Sequence, residues 1–165
     1  MYPSPDFLKQ YFEYVIWADR LHLQVVSALP EDEVTRPRGF SFGTILKLLQ
    51  HELAAQKVWL DRFQSVPSVW FADSPEIDTL AKLAEVWGQL HQRGQSFFDS
   101  LTPEILSATF TYTSTEGPSY TQVTGDMVFH MCQHSYYHRS QLNSMIELAG
   151  GQPVSTDYCM WIAQR

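Results

Sequence analysis

The chain has 165 residues, 44% of them apolar and 18% charged, a balance that suits one globular domain and argues against a disordered chain. Its formal net charge is −7, with 11 Lys plus Arg and no basic run. That argues against nucleic-acid binding and against attachment to an anionic membrane, which both lean on Lys and Arg.

No apolar run reaches the roughly eighteen residues of a membrane span. The N-terminus, MYPSPDFLKQYF, lacks the basic-then-apolar order of a secretory signal. Cys132 and Cys159 suggest no disulfide framework, so a reduced, cytoplasmic protein is expected.

In chain order, the first helix is predicted over Asp6–Leu29, where Leu8, Tyr11, Val15, Ala18, His22, Val25 and Leu29 recur by threes and fours. Pro30 stops it, and a breaker-rich loop, TRPRGFS, follows. The second helix is predicted over Phe42–Gln64 with Ser41 as its N-cap. It is apolar around much of its girth and should sit centrally. Residues 65–77 read as a linker loop. The third helix covers Asp78–Leu101, burying Leu80, Leu83, Trp87, Leu90, Gly94, Phe97 and Leu101. The segment ATFTYTSTEGPSYT alternates with period two around Glu116-Gly117 and reads as a short β-hairpin or irregular excursion. The fourth helix covers Tyr120–Ala149, with Ser119 and Gln122 at capping-box spacing and Gly150-Gly151 and Pro153 at its end. The tail from Ser155 to Arg165 forms one more short helix. Four long helices with short or medium connections predict an all-α four-helix bundle, a fold that builds metal sites in its core.

The fourth helix carries FHMCQHSYYHRSQ. Its expected buried stripe is Val123, Met127, His130, His134, His138, Gln141 and Met145. Burying several imidazoles is costly unless each finds a hydrogen bond or a metal. Residues four apart share a face with Cβ atoms roughly 6 Å apart, so such a pair can present two nitrogens to one ion. His134 with His138 meets that spacing, and so does His130 with His134. A third donor must come from another helix, and His51 is the best placed. A neutral three-histidine set suits zinc, nickel or iron and leaves coordination positions open. A structural site would be closed by a fourth protein ligand, for which His130 and Glu52 are the candidates.

The other residues read more blandly. His22 and His91 have no partner by spacing and are taken as satisfied core residues. Cys132 is read as a small buried hydrophobe. Glu52 adjoins His51 but points about 100° away on a helix, toward solvent or another helix. Tyr136 and Tyr137 read as packing or dimer-surface residues. No Ser-His-Asp set, phosphate-cradling Gly-rich loop or paired catalytic carboxylates are visible.

Four stretches in order, EYVIWADRLH, GFSFGTILKLLQHELAAQKVWLDRF, FHMCQHSYYHRSQL and PVSTDYCMW, resemble the DinB/YfiT metalloenzyme family across nearly the whole chain. The resemblance implies one DinB-like four-helix bundle domain over residues 1–165, with the hairpin or irregular insertion between helices three and four. It implies a divalent transition metal held by His51, His134 and His138, and a homodimer. Two positions depart from the family pattern. Gln56 stands where Asp is common, which removes a carboxylic acid from near the site, and Ser140 stands where Gly is common.

Related bundles, by the same resemblance, include transferases and isomerases in which the metal activates a low-molecular-weight thiol such as bacillithiol or mycothiol. The leading expectation is thiol S-transfer to a small electrophile, with metal-assisted hydrolysis behind it. From a different class, the alternative is a non-catalytic metal-binding stress protein or interaction scaffold. Arg139 and Gln141 follow His138 and are candidates for substrate binding; a structural ion pair is the equal reading of Arg139.

Overall fold

A computed structural model describes residues 3–39 and 41–165. Phe40, inside the expected breaker-rich loop, and Met1 and Tyr2, at the start of the N-terminal stretch, lie outside that range. Helix α1 spans Pro5–Ser27: the Ser4 hydroxyl accepts from the Phe7 N–H at 3.2 Å, and Pro5 supplies a pre-set first turn. Between Pro30 and the breaker-rich loop lies a short helix, α2, Glu31–Thr35, which the periodicity did not predict.

Helix α3 spans Ile45–Phe63, and its N-cap is Thr44, not Ser41. Ser41 and Gly43 both take positive φ, 54° and 84°, so neither can lie in a first helical turn. The Thr44 hydroxyl accepts from the Lys47 N–H instead. The expected linker 65–77 ends in a 3-10 turn, Pro75–Ile77, that buries Ile77 completely. Helix α4, Leu80–Asp99, buries Leu83, Trp87, Leu90, Gly94 and Phe97 as its periodicity predicts. At Gly94 a Cβ would collide with the Phe12 ring, so glycine lets α1 and α4 close up there.

Helix α5 (Pro103–Ser107) leads into strands β1 (Thr109–Thr113) and β2 (Ser119–Val123), an antiparallel hairpin pairing Thr111 with Thr121. Its turn uses Gly117 at φ 107°. Helix α6 spans Thr124–Leu148, starting later than expected. The reason is competition: Ser119 and Gln122 are committed to the ladder opposite Thr113 and Phe110, so no capping box forms. The Thr124 N–H and hydroxyl both donate to Ala108 O, fixing the helix start to the end of α5. Helix α7, Tyr158–Ile162, packs on α1 through Tyr158 and Trp161 against Tyr14.

The four long helices α1, α4, α3 and α6 close a ring in that spatial order. Phe12 on Phe98 and Asp19 with His91 join α1 to α4 antiparallel. Gln56 with Trp87 and Asp61 with Arg93 join α3 to α4 parallel. Histidines at 51 and 138, and Trp59 on His130, join α3 to α6 antiparallel. No helix among the described residues is long and apolar enough to cross a membrane.

The inward face of α6 differs from the expected stripe. It is Thr124, Val128, Met131, Ser135, His138, Leu142 and Met145, turned by about one residue, with Cys132 and Arg139 also buried. His130 is therefore exposed and His134 half-buried. His134 and His130 turn toward the seam between α6 and α3, with His138 at the inner edge of that seam beside buried Ser135 and Arg139.

Candidate metal centre

His51 lies in the second turn of α3, and His134 and His138 lie one turn apart on α6. One ring nitrogen from each comes within 4.8 Å of the others, a group that could hold a metal ion. His134 Nε2 and His138 Nε2 are 3.2 Å apart. Two nitrogens bound to one ion at 2.0–2.1 Å are separated by about 3.0–3.4 Å, so the pair fits a shared metal. His138 Nδ1 donates to Gln141 Oε1 at 2.7 Å. An amide oxygen only accepts, so the proton sits on Nδ1 and the Nε2 lone pair is left for an ion. The donor set thus fits a divalent transition metal of the zinc, nickel or iron kind.

All three imidazoles are held neutral, the form that binds metal. Burial, then the neighbouring His138, pushes His51 down to about 4. Burial and the His138, His51 and His130 charges push His134 down to about 3. Burial also lowers His138, against the Gln141 hydrogen bond. This sets a pH dependence. As pH falls from 6.5 toward 4, the unfolded chain takes up protons that the folded histidines refuse. The metal-free protein should keep its full histidine-linked stability above pH 6.5 and lose it progressively below, and metal loading should fall over the same range. Urea midpoints between pH 7.5 and 4.5 check this; a midpoint rising on acidification would contradict it.

Three aromatic residues rim the group. Phe42 stacks on His51 at 4.2 Å between ring centroids and meets His138 edge-on at 5.5 Å. Trp70 stands 5.5 Å from His51, and Tyr137 meets His138 edge-on at 5.0 Å. All three are exposed, and His51 and His134 are half-buried beneath them while His138 is buried, so the group lies close to the surface. No fourth His, Cys, Asp or Glu joins the group among the described residues. His130 packs on Trp59, with its centroid 6.2 Å from that of His134. Glu52 turns inward, completely buried among the helices, where burial and the Asp19 charge hold its carboxyl well above the usual range.

The DinB family model matches residues 1–164. The chain belongs to the DinB family. A crystal structure of a DinB-like protein from Bacillus cereus ATCC 10987 superposes with a TM-score of 0.62 at 16% identity, over 94% of this chain and 99% of that one, and so shares the fold. No curated protein matches the chain.

In this DinB-family bundle the other candidates, Gln141 excepted, point away from the metal centre. Arg139 is 2% exposed, stacks over the Tyr14 ring at 4.9 Å and faces Asp19 Oδ1 at 3.6 Å. It points to α1, the geometry of its structural reading. Gln141 stays at the metal centre, on His138. Gln56 is buried away from the histidines, donating to Asp19 Oδ2 at 2.9 Å and accepting from the Trp87 indole at 3.1 Å. His91 Nε2 joins the same Asp19 oxygen. His22 is buried between Ala18 O and Asn143 Oδ1, and Cys132 is fully buried, both as expected.

Asp19, Phe42 and Trp70 escaped the sequence reading. Asp19 had a signal: it follows Val15 by four on a buried face. Trp70 had none, since its place depends on how the 65–77 loop folds back over α3. Gln141→Ala should weaken zinc binding about 10- to 100-fold without unfolding the bundle, the usual cost of losing a hydrogen bond that orients a ligand. Competition with a zinc-responsive dye measures it, and unchanged affinity would remove Gln141 from the centre.

Proposed function

We propose that this chain is a metal-dependent transferase that adds a low-molecular-weight thiol to a small electrophile. The observation that carries this reading is a three-histidine group, close to the surface and rimmed by aromatic side chains, that no fourth His, Cys, Asp or Glu joins among the described residues. A divalent ion held there would act as a Lewis acid, able to lower the pKa of a bound thiol or water. The chain's own residues supply the rest. The three histidines offer neutral donors, Gln141 fixes the His138 tautomer, and Phe42, Trp70 and Tyr137 offer apolar walls to a hydrophobic electrophile. No carboxylate reaches the group among the described residues. Hydrolysis benefits from an acid that protonates its leaving group; addition of an activated thiol to an electrophile has less need of one. That contrast favours transfer over hydrolysis.

The test is conjugation of monobromobimane to cysteine, glutathione and bacillithiol by zinc- and nickel-loaded protein. Acceleration over the free thiol that disappears in His134→Ala is expected. Ester hydrolysis without thiol transfer would move the assignment to a hydrolase. Stoichiometric metal with neither reaction would leave a metal-holding protein without catalysis.

A further inference from the structure

A groove of about 650 Å³ lies between the C-terminal half of α3, the loop after it and strand β1. That is the size of a small-molecule site. Its lining is mostly hydroxyls and apolar groups, among them Val58, Ser68, Thr111 and Thr113, and its one charged lining residue is Arg62. The Arg62 guanidinium lies in the corner made by two rings that meet edge-on, 4.6 Å from Trp59 and 4.7 Å from Tyr112. Its Nη2 donates to Thr113 O at 2.9 Å. A guanidinium has five N–H groups in a fixed fork, so four remain after that bond. No carboxylate of the lining competes for them.

We propose that this groove is a binding subsite for a small organic carboxylate, with Arg62 as its receptor. An arginine held against two rings and by its bond to Thr113 O loses little freedom on binding, and its planar fork matches a carboxylate in two parallel hydrogen bonds. One cation among hydroxyls suits a monoanion; a phosphate dianion calls for more positive charge than the groove holds.

The groove also adjoins the metal centre. Trp70 lines it and stands 5.5 Å from His51. Helical side chains lean toward the N-terminus, and Arg62 accordingly lies over Trp59. Eight residues separate Trp59 from His51, about 12 Å along the helix at 1.5 Å each. A molecule anchored by its carboxylate at Arg62 and extended along the groove reaches the histidines with its other end. This last step rests on the proposed transferase reading; the carboxylate subsite does not.

The experiment is a titration of the full-length ¹⁵N-labelled protein, metal-free and zinc-loaded, with N-acetylglycylglycine and with its neutral amide. Saturable shifts of the Arg62 Nε–H and Trp70 indole signals are expected with the acid, and at least tenfold weaker binding with the amide. Arg62→Gln should weaken the acid to the level of the amide. Equal binding of acid and amide, no saturable shift with the acid, or an unchanged affinity in Arg62→Gln would each overturn the proposal. Arg62 also pins the hairpin, so if Arg62→Gln fails to fold, the acid–amide pair on the wild type decides alone. Carboxylate binding without thiol transfer would sink the enzymatic reading and leave the subsite standing.

Discussion

Purified His138→Ala, reloaded with zinc beside the wild type, is expected to hold less than about a tenth of an ion per chain where the wild type holds about one, because two remaining imidazoles make a weak site. His138 is the choice for truncation because it is the most buried of the three and the one whose tautomer is set, by Gln141. Its loss leaves His51 and His134, both half-buried, with water as the other ligands. Two controls give the prediction its edge. His130 sits four residues before His134, the same spacing as His138 after it, yet it is exposed and packed on Trp59. His130→Ala should keep its metal. His22 bonds to Ala18 and Asn143 on the α1 side of α6, so His22→Ala should keep metal too. Elemental analysis of the four proteins checks all of this. Equal metal loss in His130→Ala and His138→Ala would relocate the ligand set, and equal content in all four would dissolve it. The far-ultraviolet helical signal should survive metal removal, since the apolar core is continuous without it.

The four long helices were legible because each carries a periodic apolar face, with Pro30 after the first and Gly150 after the last marking where they stop. Spacing made a one-turn histidine pair on α6 legible but left His130–His134 and His134–His138 equal; the family resemblance chose the second, and the fold groups it with His51. The rotation of α6 was not legible. Periodicity locates a buried face by assuming that buried residues are apolar, and here Ser135 and Arg139 are buried through hydrogen bonds and an ion pair contributed by α1 and α3. Helix starts failed for a related reason. Ser41 and Ser119 are good capping residues by composition, but a positive φ at one and a ladder position at the other remove them. The aromatic rim depended on loop paths that no local pattern encodes.

Asp19→Ala is expected to destabilise the protein by about 3–5 kcal/mol, the usual cost of removing one partner from a buried ion pair. For a chain of this size each kcal/mol moves the thermal midpoint by about 2–4 °C, so the midpoint should fall by roughly 6–20 °C. The magnitude follows from what Asp19 holds. Burial works to raise its carboxyl, and the His91 hydrogen bond, the Arg139 charge and Gln56 outweigh it, keeping it ionised below the usual range. Arg139 is almost wholly buried, and Asp19 is the acid within 4 Å of it among the described residues. Without Asp19 the guanidinium stays charged in the core with only the Tyr14 ring and the Val15 carbonyl for company. Gln56 and His91 lose an acceptor as well. If the unpaired charge is the main cost, Asp19→Ala combined with Arg139→Met should recover part of the loss, because an apolar pair of similar bulk avoids it. Metal content should hold in Asp19→Ala at low temperature, since His51 and His134 face the far side of the α3–α6 seam. A loss below about 1 kcal/mol would place the pair among weakly coupled surface charges and contradict its burial. A full loss of metal in a still-folded Asp19→Ala would make the network a support of the histidines and not only of the fold.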